Sequence, residues 1–154
     1  MLNYVFITIL VSFPETLLIL LLGLNLSNII HINNLTVFII AFIQSIIALL
    51  TRILNIDLGI HTIIQIISLY LLIVLFLKLK YYKAIIPVLI GSLLQGIMQS
   101  ISLPIISCIL GVELVDLYNN PRNIVILFIP ILIISSILLV IVRKRHIVFC
   151  DISS

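Results

Sequence analysis

Residues 58–77 read LGIHTIIQIISLYLLIVLFL, twenty residues without one Asp, Glu, Lys or Arg. At 1.5 Å per residue such a run makes a helix of roughly 30 Å, the thickness of the hydrocarbon core of a bilayer. It does not alternate apolar with polar positions, so a membrane strand is a poor reading of it. In hydrocarbon the backbone is satisfied only by a helix or a closed barrel. The run therefore reads as a spanning helix, and the rest of the chain repeats the pattern on either side.

Upstream lie apolar runs over about Tyr4–Leu26 and Leu35–Leu54, and downstream over Tyr82–Leu110 and Ile124–Val142. Each is long enough to cross a bilayer. In the 154 residues, 64% are apolar and 8% charged, against roughly 25% charged in an average soluble domain. A soluble fold could not hide that much apolar surface. The expectation is an all-α integral membrane bundle of about five transmembrane helices. It forms one domain over residues 1–146, followed by a short cytoplasmic tail over 147–154.

The breaks between runs have the chemistry of loops. Asn25, Ser27, Asn28, His31, Asn33 and Asn34 make a polar, uncharged first loop. Asn55-Ile56-Asp57 makes a tight second turn in which Asp57 is a good N-cap. Pro121 fits a helix start. No Lys or Arg precedes the first run, so it is expected to be a retained helix, not a cleaved signal. Cys108 and Cys150 fall too far apart in this topology to form a disulfide.

Orientation follows from the basic residues. With five spans, Lys78, Lys80, Lys83, Arg143, Lys144 and Arg145 share one side, and Arg52 and Arg122 the other. Six against two places the C-terminus in the cytoplasm and the N-terminus outside by the positive-inside rule. The net charge of +3 is thus topology charge; no broad basic face suggests a nucleic acid partner. The location expected is the cell membrane, that of a bacterium, with the lipid bilayer as first partner.

Ionisable groups inside spans are costly and are the first places to look for function. Glu15 follows Pro14 near the middle of the first run, with Ser12 and Thr16 beside it. A proline kink next to a carboxylate could form a cation, proton or ligand site. Equally, Pro14-Glu15 could begin the regular helix, with Glu15 as a first-turn acid and the residues before it interfacial. His61 lies four residues after Asp57, and Gln65 and Ser68 continue that stripe. The stripe reads as an outward polar groove or, more blandly, as a cap and a headgroup contact. Ser92, Gln95, Gln99 and Ser102 lie on one face of the fourth run. Ser92, Gly96 and Ser100 form a small-xxx-small seam of the kind that packs helices. Gln44, Ser45, Ala48 and Arg52 make a mixed face on the second run, where Arg52 can snorkel outward. Glu15, His61, Gln65, Gln95 and Gln99 are the candidate ligand-binding residues.

No nucleophile–base pair, metal box or phosphate loop is present, so neither an enzyme nor a cofactor or metal is expected. A zinc site from Asp57, His61, Glu113 and Asp116 lacks any recognised ligand motif.

Phe13-Pro14-Glu15-Thr16 leading into Leu/Ile runs, Ile56-Asp57-Leu58-Gly59-Ile60-His61-Thr62 opening a span, and a Pro130-containing last span with an Arg143-Lys144-Arg145 exit form a combination. In these features the chain resembles the N-terminal multi-span sensor regions of Firmicutes membrane histidine kinases, in the accessory-gene-regulator style. The resemblance implies detection of an extracellular peptide or of membrane state. It departs from those kinases after His146, where eight residues follow and no kinase domain is expected. The functional expectation is a non-enzymatic sensor or regulatory module acting through a membrane or cytoplasmic protein partner. A small transporter or its substrate-binding subunit, and a structural assembly subunit, are the competing readings. A homo-oligomer is left open.

Overall fold

A computed structural model describes residues 5, 7–29, 32–54, 58–111 and 121–151. Among them run five long helices: α1 (Phe13–Leu26), α2 (Asn34–Ile53), α3 (Leu58–Leu77), α4 (Tyr81–Leu110) and α5 (Pro121–Arg145). Each is long and apolar enough to cross a membrane, with α1 counted from Thr8. The bounds differ from the apolar runs by a few residues. Among the larger differences, α5 continues through the basic exit to Arg145. Asp57, Glu113 and Asp116 lie outside the described residues, and with them the expected cap of α3 and the acidic half of the zinc suggestion.

From Ile7 to Leu26 the first run is one continuous helical segment with a widened turn. Thr8–Ser12 is π-helical, and the Phe13 N–H reaches the Thr8 carbonyl five residues back. Pro14 accounts for this locally. It has no N–H to donate, and its ring crowds the carbonyl four residues before it, so the preceding turn opens. Regular α-helix begins at Phe13, which makes Glu15 a first-turn acid without separating it from the helical residues before it.

The helices run alternately up and down. α1 is the hub, packed against α2, α4 and α5, while α3 packs against α2 and α4 on the far side. The α1–α4 contact is close because two glycines remove side chains from it. A Cβ at Gly23 would overlap the Pro87 carbonyl oxygen, and one at Gly91 would overlap the Ile19 carbonyl oxygen. Leu20 and Leu24 of α1, Val37, Ile40 and Ala41 of α2, Leu69 and Ile73 of α3, and Ala84 and Val88 of α4 then close into one apolar core. A second cluster joins Leu18, Leu22 and Leu26 to Leu139 and Val142 of α5.

The outer surface is apolar as well. Ile60, Ile63, Ile67, Leu71 and Leu75 form a stripe along α3, each more than half exposed. A stripe like this, repeated on α2, α4 and α5, is the surface a lipid solvent tolerates and water does not.

Asn33 starts α2 by accepting the Leu35 N–H at 3.0 Å on its side-chain oxygen. α1 and α5 end alike. Asn28 and His146 adopt left-handed backbone (φ 57° and 49°), and the next residue donates back to the carbonyl five positions earlier: Ile29 to Leu24 at 2.9 Å, Ile147 to Val142 at 3.2 Å. This is the Schellman cap, with Asn and His standing where Gly is usual. Beyond it residues 147–150 fold back across the bundle end, and Phe149 and Cys150 both donate to the Leu26 carbonyl, at 2.8 and 3.2 Å.

Candidate functional site

All five helices contribute a polar side chain to an interhelical hydrogen bond. In an apolar bundle these groups have no water to fall back on, so each must find a partner on a neighbour. They do so in two sets.

The first set joins α2 and α3. Gln44 is 2% exposed. Its amide nitrogen donates to the Gln65 backbone and side-chain oxygens at 2.9 and 2.6 Å, and to Ser68 Oγ at 2.9 Å. Ser68 returns a bond to Gln44 Oε1 at 3.0 Å. Gln65 Nε2 reaches back to Thr51 Oγ1 at 3.4 Å. Gln44→Leu should therefore cost about 1–2 kcal/mol, the upper range for such bonds between membrane helices. The loss stays near that level because Ser68 still donates to the Gln65 carbonyl at 3.1 Å, leaving the Gln65 side-chain oxygen as the main orphan. Denaturation in a mixed micelle titrated with sodium dodecyl sulfate measures it, with Ser136→Ala, exposed on α5, as the near-neutral control.

The second set joins α1, α4 and α5. Gln99 Nε2 donates to Glu15 Oε1. One turn earlier on α4, Gln95 is 2% exposed and accepts the Ser135 hydroxyl at 3.0 Å. The Gln95 amide nitrogen itself is buried without a partner. So is Ser12 Oγ, which sits in the widened turn before Glu15.

Arg52 connects the two sets electrostatically. It lies within electrostatic range of Glu15 and of His61. Snorkelling would put its head at a surface, yet Nη1 is buried and has no hydrogen-bond partner. Among the described residues it is the charged member of the unpartnered buried groups, and burying a charged donor without a partner costs more than burying a neutral one.

The five residues singled out from the sequence therefore divide. Glu15 and Gln99 touch each other. Gln65 belongs to the α2–α3 set, Gln95 is bonded to Ser135, and His61 is half-buried near Arg52. Four of them act as interhelical ties. Sequence reasoning left Gln44 on a mixed face outside the candidate set and did not single out Ser135. Gln44 carries the signal of an amide mid-run, but Ser135 looks like any serine in an apolar helix.

The small-residue seam lies elsewhere than in the bundle. Gly96 and Ser100 are exposed on the outer face of α4, and a Cβ at Gly96 would meet nothing within 4 Å. Ser92 bonds its hydroxyl to the Val88 carbonyl of its own helix. Helix packing inside the chain rests on Gly91 and Gly23 instead. Among the described residues no three His, Cys, Asp or Glu side chains gather as a metal site would need.

The basic residues collect at one end. α3 ends at Leu77, so Lys78, Lys80 and Lys83 lie between it and the first turn of α4, and Arg143, Lys144 and Arg145 form the last turn of α5. Glu15, Arg52 and His61 lie toward the other end. No family model, curated protein or solved structure matches the chain.

Proposed function

We propose that this chain is a multi-pass membrane protein whose bundle is a sensor or regulatory module without catalytic activity, N-terminus outside and C-terminus cytoplasmic, working through a protein partner. The carrying observation is half-buried Arg52, whose Nη1 is buried without a partner within electrostatic range of Glu15 and His61. A carboxylate or carbonyl of a ligand, or Glu15 itself after a small shift of α1 against α2, would satisfy it. Either event pulls on a network that already ties α1 to α4 and α4 to α5. A local change would then become a helix displacement at the basic end, the form of switch that discrete packed bundles support.

The orientation rests on the six basic residues at one end against Arg52 and Arg122 at the other. The likeness to the sensor regions of bacterial kinases adds the expectation of a cytoplasmic signalling partner. The test uses tagged protein in its native membrane. Lys80→Cys should resist an impermeant thiol reagent applied from outside, and chemical crosslinking should recover a stoichiometric partner. Labelling of Lys80→Cys from outside would overturn the orientation. Recovery of the chain alone would remove the partner-dependent reading.

A transporter is the second reading, favoured by the widened Thr8–Ser12 turn beside Pro14 and Glu15. Irregular backbone at a carboxylate is how many transporters place a coupling ion. Cation-dependent uptake into proteoliposomes by the purified chain would establish it in place of the sensor.

A further inference from the structure

The basic end holds a cleft of about 350 Å³ between α1, α2 and α5. Its floor is apolar, and the two Schellman caps build it. Each cap sets an isoleucine against the residue it bonds, Ile29 on Leu24 and Ile147 on Val142, and all four line the cleft. Residues 147–150, pinned to the Leu26 carbonyl, hold the Ile147–Val148 wall in place. The rim is polar: Arg143, His146 and the amides of Asn25, Asn28 and Asn34. None of the described residues that line it is acidic.

This lining is amphiphilic and positive. A soluble metabolite would leave the Leu21, Leu24 and Val37 surface unused. A wholly apolar ligand would make no use of the Arg143 guanidinium at the rim. The cleft needs one ligand that is anionic at one end and hydrocarbon at the other. Its position adds a second constraint. It opens where Lys78, Lys80, Lys83, Lys144 and Arg145 also lie, the end that the membrane reading places at a headgroup layer. Basic pockets between helices at that level hold phosphate headgroups. At 350 Å³ it is near the small end of ligand clefts, about 300–1,000 Å³, and so admits a headgroup with its first methylenes and not a whole lipid.

We infer that this cleft binds the phosphate-bearing headgroup of an anionic phospholipid. The Arg143 fork takes two phosphate oxygens at the polar rim, and the first acyl methylenes lie along Leu21, Leu24 and Val37. The inference rests on membrane insertion and is independent of whether the Arg52 site senses anything. It makes the α1–α5 end lipid-responsive, because the bound headgroup touches the last turns of both helices.

Native mass spectrometry of the full chain, released from detergent with added phosphatidylglycerol or phosphatidylcholine, tests it. Wild type should retain one phosphatidylglycerol in clear preference to phosphatidylcholine. Arg143→Gln should weaken retention about tenfold, the worth of one charge-assisted pair. Arg143→Lys should fall between the two, since it keeps the charge and loses the fork. Lys144→Gln, next in sequence but outside the cleft, should change retention less than threefold. Arg143 is exposed, so its replacement disturbs no buried contact, and an unchanged helical circular dichroism spectrum confirms that each variant is folded. Equal losses in Arg143→Gln and Lys144→Gln would reduce the effect to diffuse charge and overturn the site. Equal retention of phosphatidylcholine, or displacement of the lipid by millimolar inorganic phosphate, would overturn the lipid assignment. The first would mean the acyl chains alone bind, the second that a free anion is the ligand.

Discussion

Gly91→Leu is expected to leave no recoverable folded protein, while Gly96→Leu, five residues along the same helix, should be purified in normal amounts. The difference lies in what the new side chain meets. At Gly91 a Cβ would overlap the Ile19 carbonyl oxygen and stand 3.1 Å from the Ile19 carbonyl carbon. At Gly23, one turn later on α1, it would overlap the Pro87 carbonyl oxygen and stand 3.3 Å from Pro87 Cα. These are backbone atoms of rigid helices, so no rotamer change relieves the contact. α1 would have to move away from α4, opening the core that Leu20, Leu24, Ala84 and Val88 close. Overpacking costs about 1–3 kcal/mol where side chains can adjust, and more where backbone blocks the way. Gly91→Ala alone should therefore destabilise by about 3 kcal/mol. Leucine adds three heavy atoms to the same clash. Gly96 has nothing within 4 Å of a Cβ and faces outward. Thermal denaturation and size-exclusion profiles in a mild detergent read both outcomes. A monodisperse Gly91→Leu protein with the wild-type midpoint would show that α1 and α4 do not meet there.

The same pair of glycines shows how far the sequence could be read. The five long helices were legible to within a few residues, because length and the absence of charge are enough to mark a stretch that can span. The hub role of α1 was not. In a bundle whose outer surface is as apolar as its inside, hydrophobic periodicity cannot say which face of α4 turns inward. Gly91 and Gly96 look alike in the sequence. The Ser92-Gly96-Ser100 spacing drew attention to the outward face, and nothing in the sequence set Gly91 above Gly96. Polar residues were found more reliably, since Gln44, Gln65, Gln95 and Gln99 stand out against leucine and isoleucine. Their partners were not, because a partner across 84 residues, as for Glu15 and Gln99, depends on the register of two helices. The headgroup cleft was beyond reach for the same reason. It needs two helix ends, the start of a third and a returning tail to meet in one place.

Glu15→Gln is expected to abolish any signalling response while leaving the bundle folded, and Arg52→Gln should do the same. Glutamine at position 15 keeps an oxygen for the Gln99 amide to donate to, so the α1–α4 tie survives. What it removes is the negative charge within range of Arg52. Arg52→Gln removes the other side of that relation, together with a buried nitrogen that bonds nothing. It also withdraws the positive charge from Glu15, which sits half-buried in an apolar surround. No direct contact joins the two charges in this arrangement, so their coupling should be modest, about 0.5–1 kcal/mol, and a double-mutant cycle on unfolding should return that value. The functional effect should be far larger than the stability effect, because the proposed switch is the making and breaking of this relation. Partner crosslinking at the basic end provides the readout, compared between wild type, the two single variants and the double variant. The sensor reading requires all three variants to lock crosslinking in one state. A cycle returning the same modest coupling together with unaltered crosslinking would make Glu15 and Arg52 elements of packing alone. The polar network would then be what holds the five helices in register, and the search for a ligand would move to the cleft at Arg143.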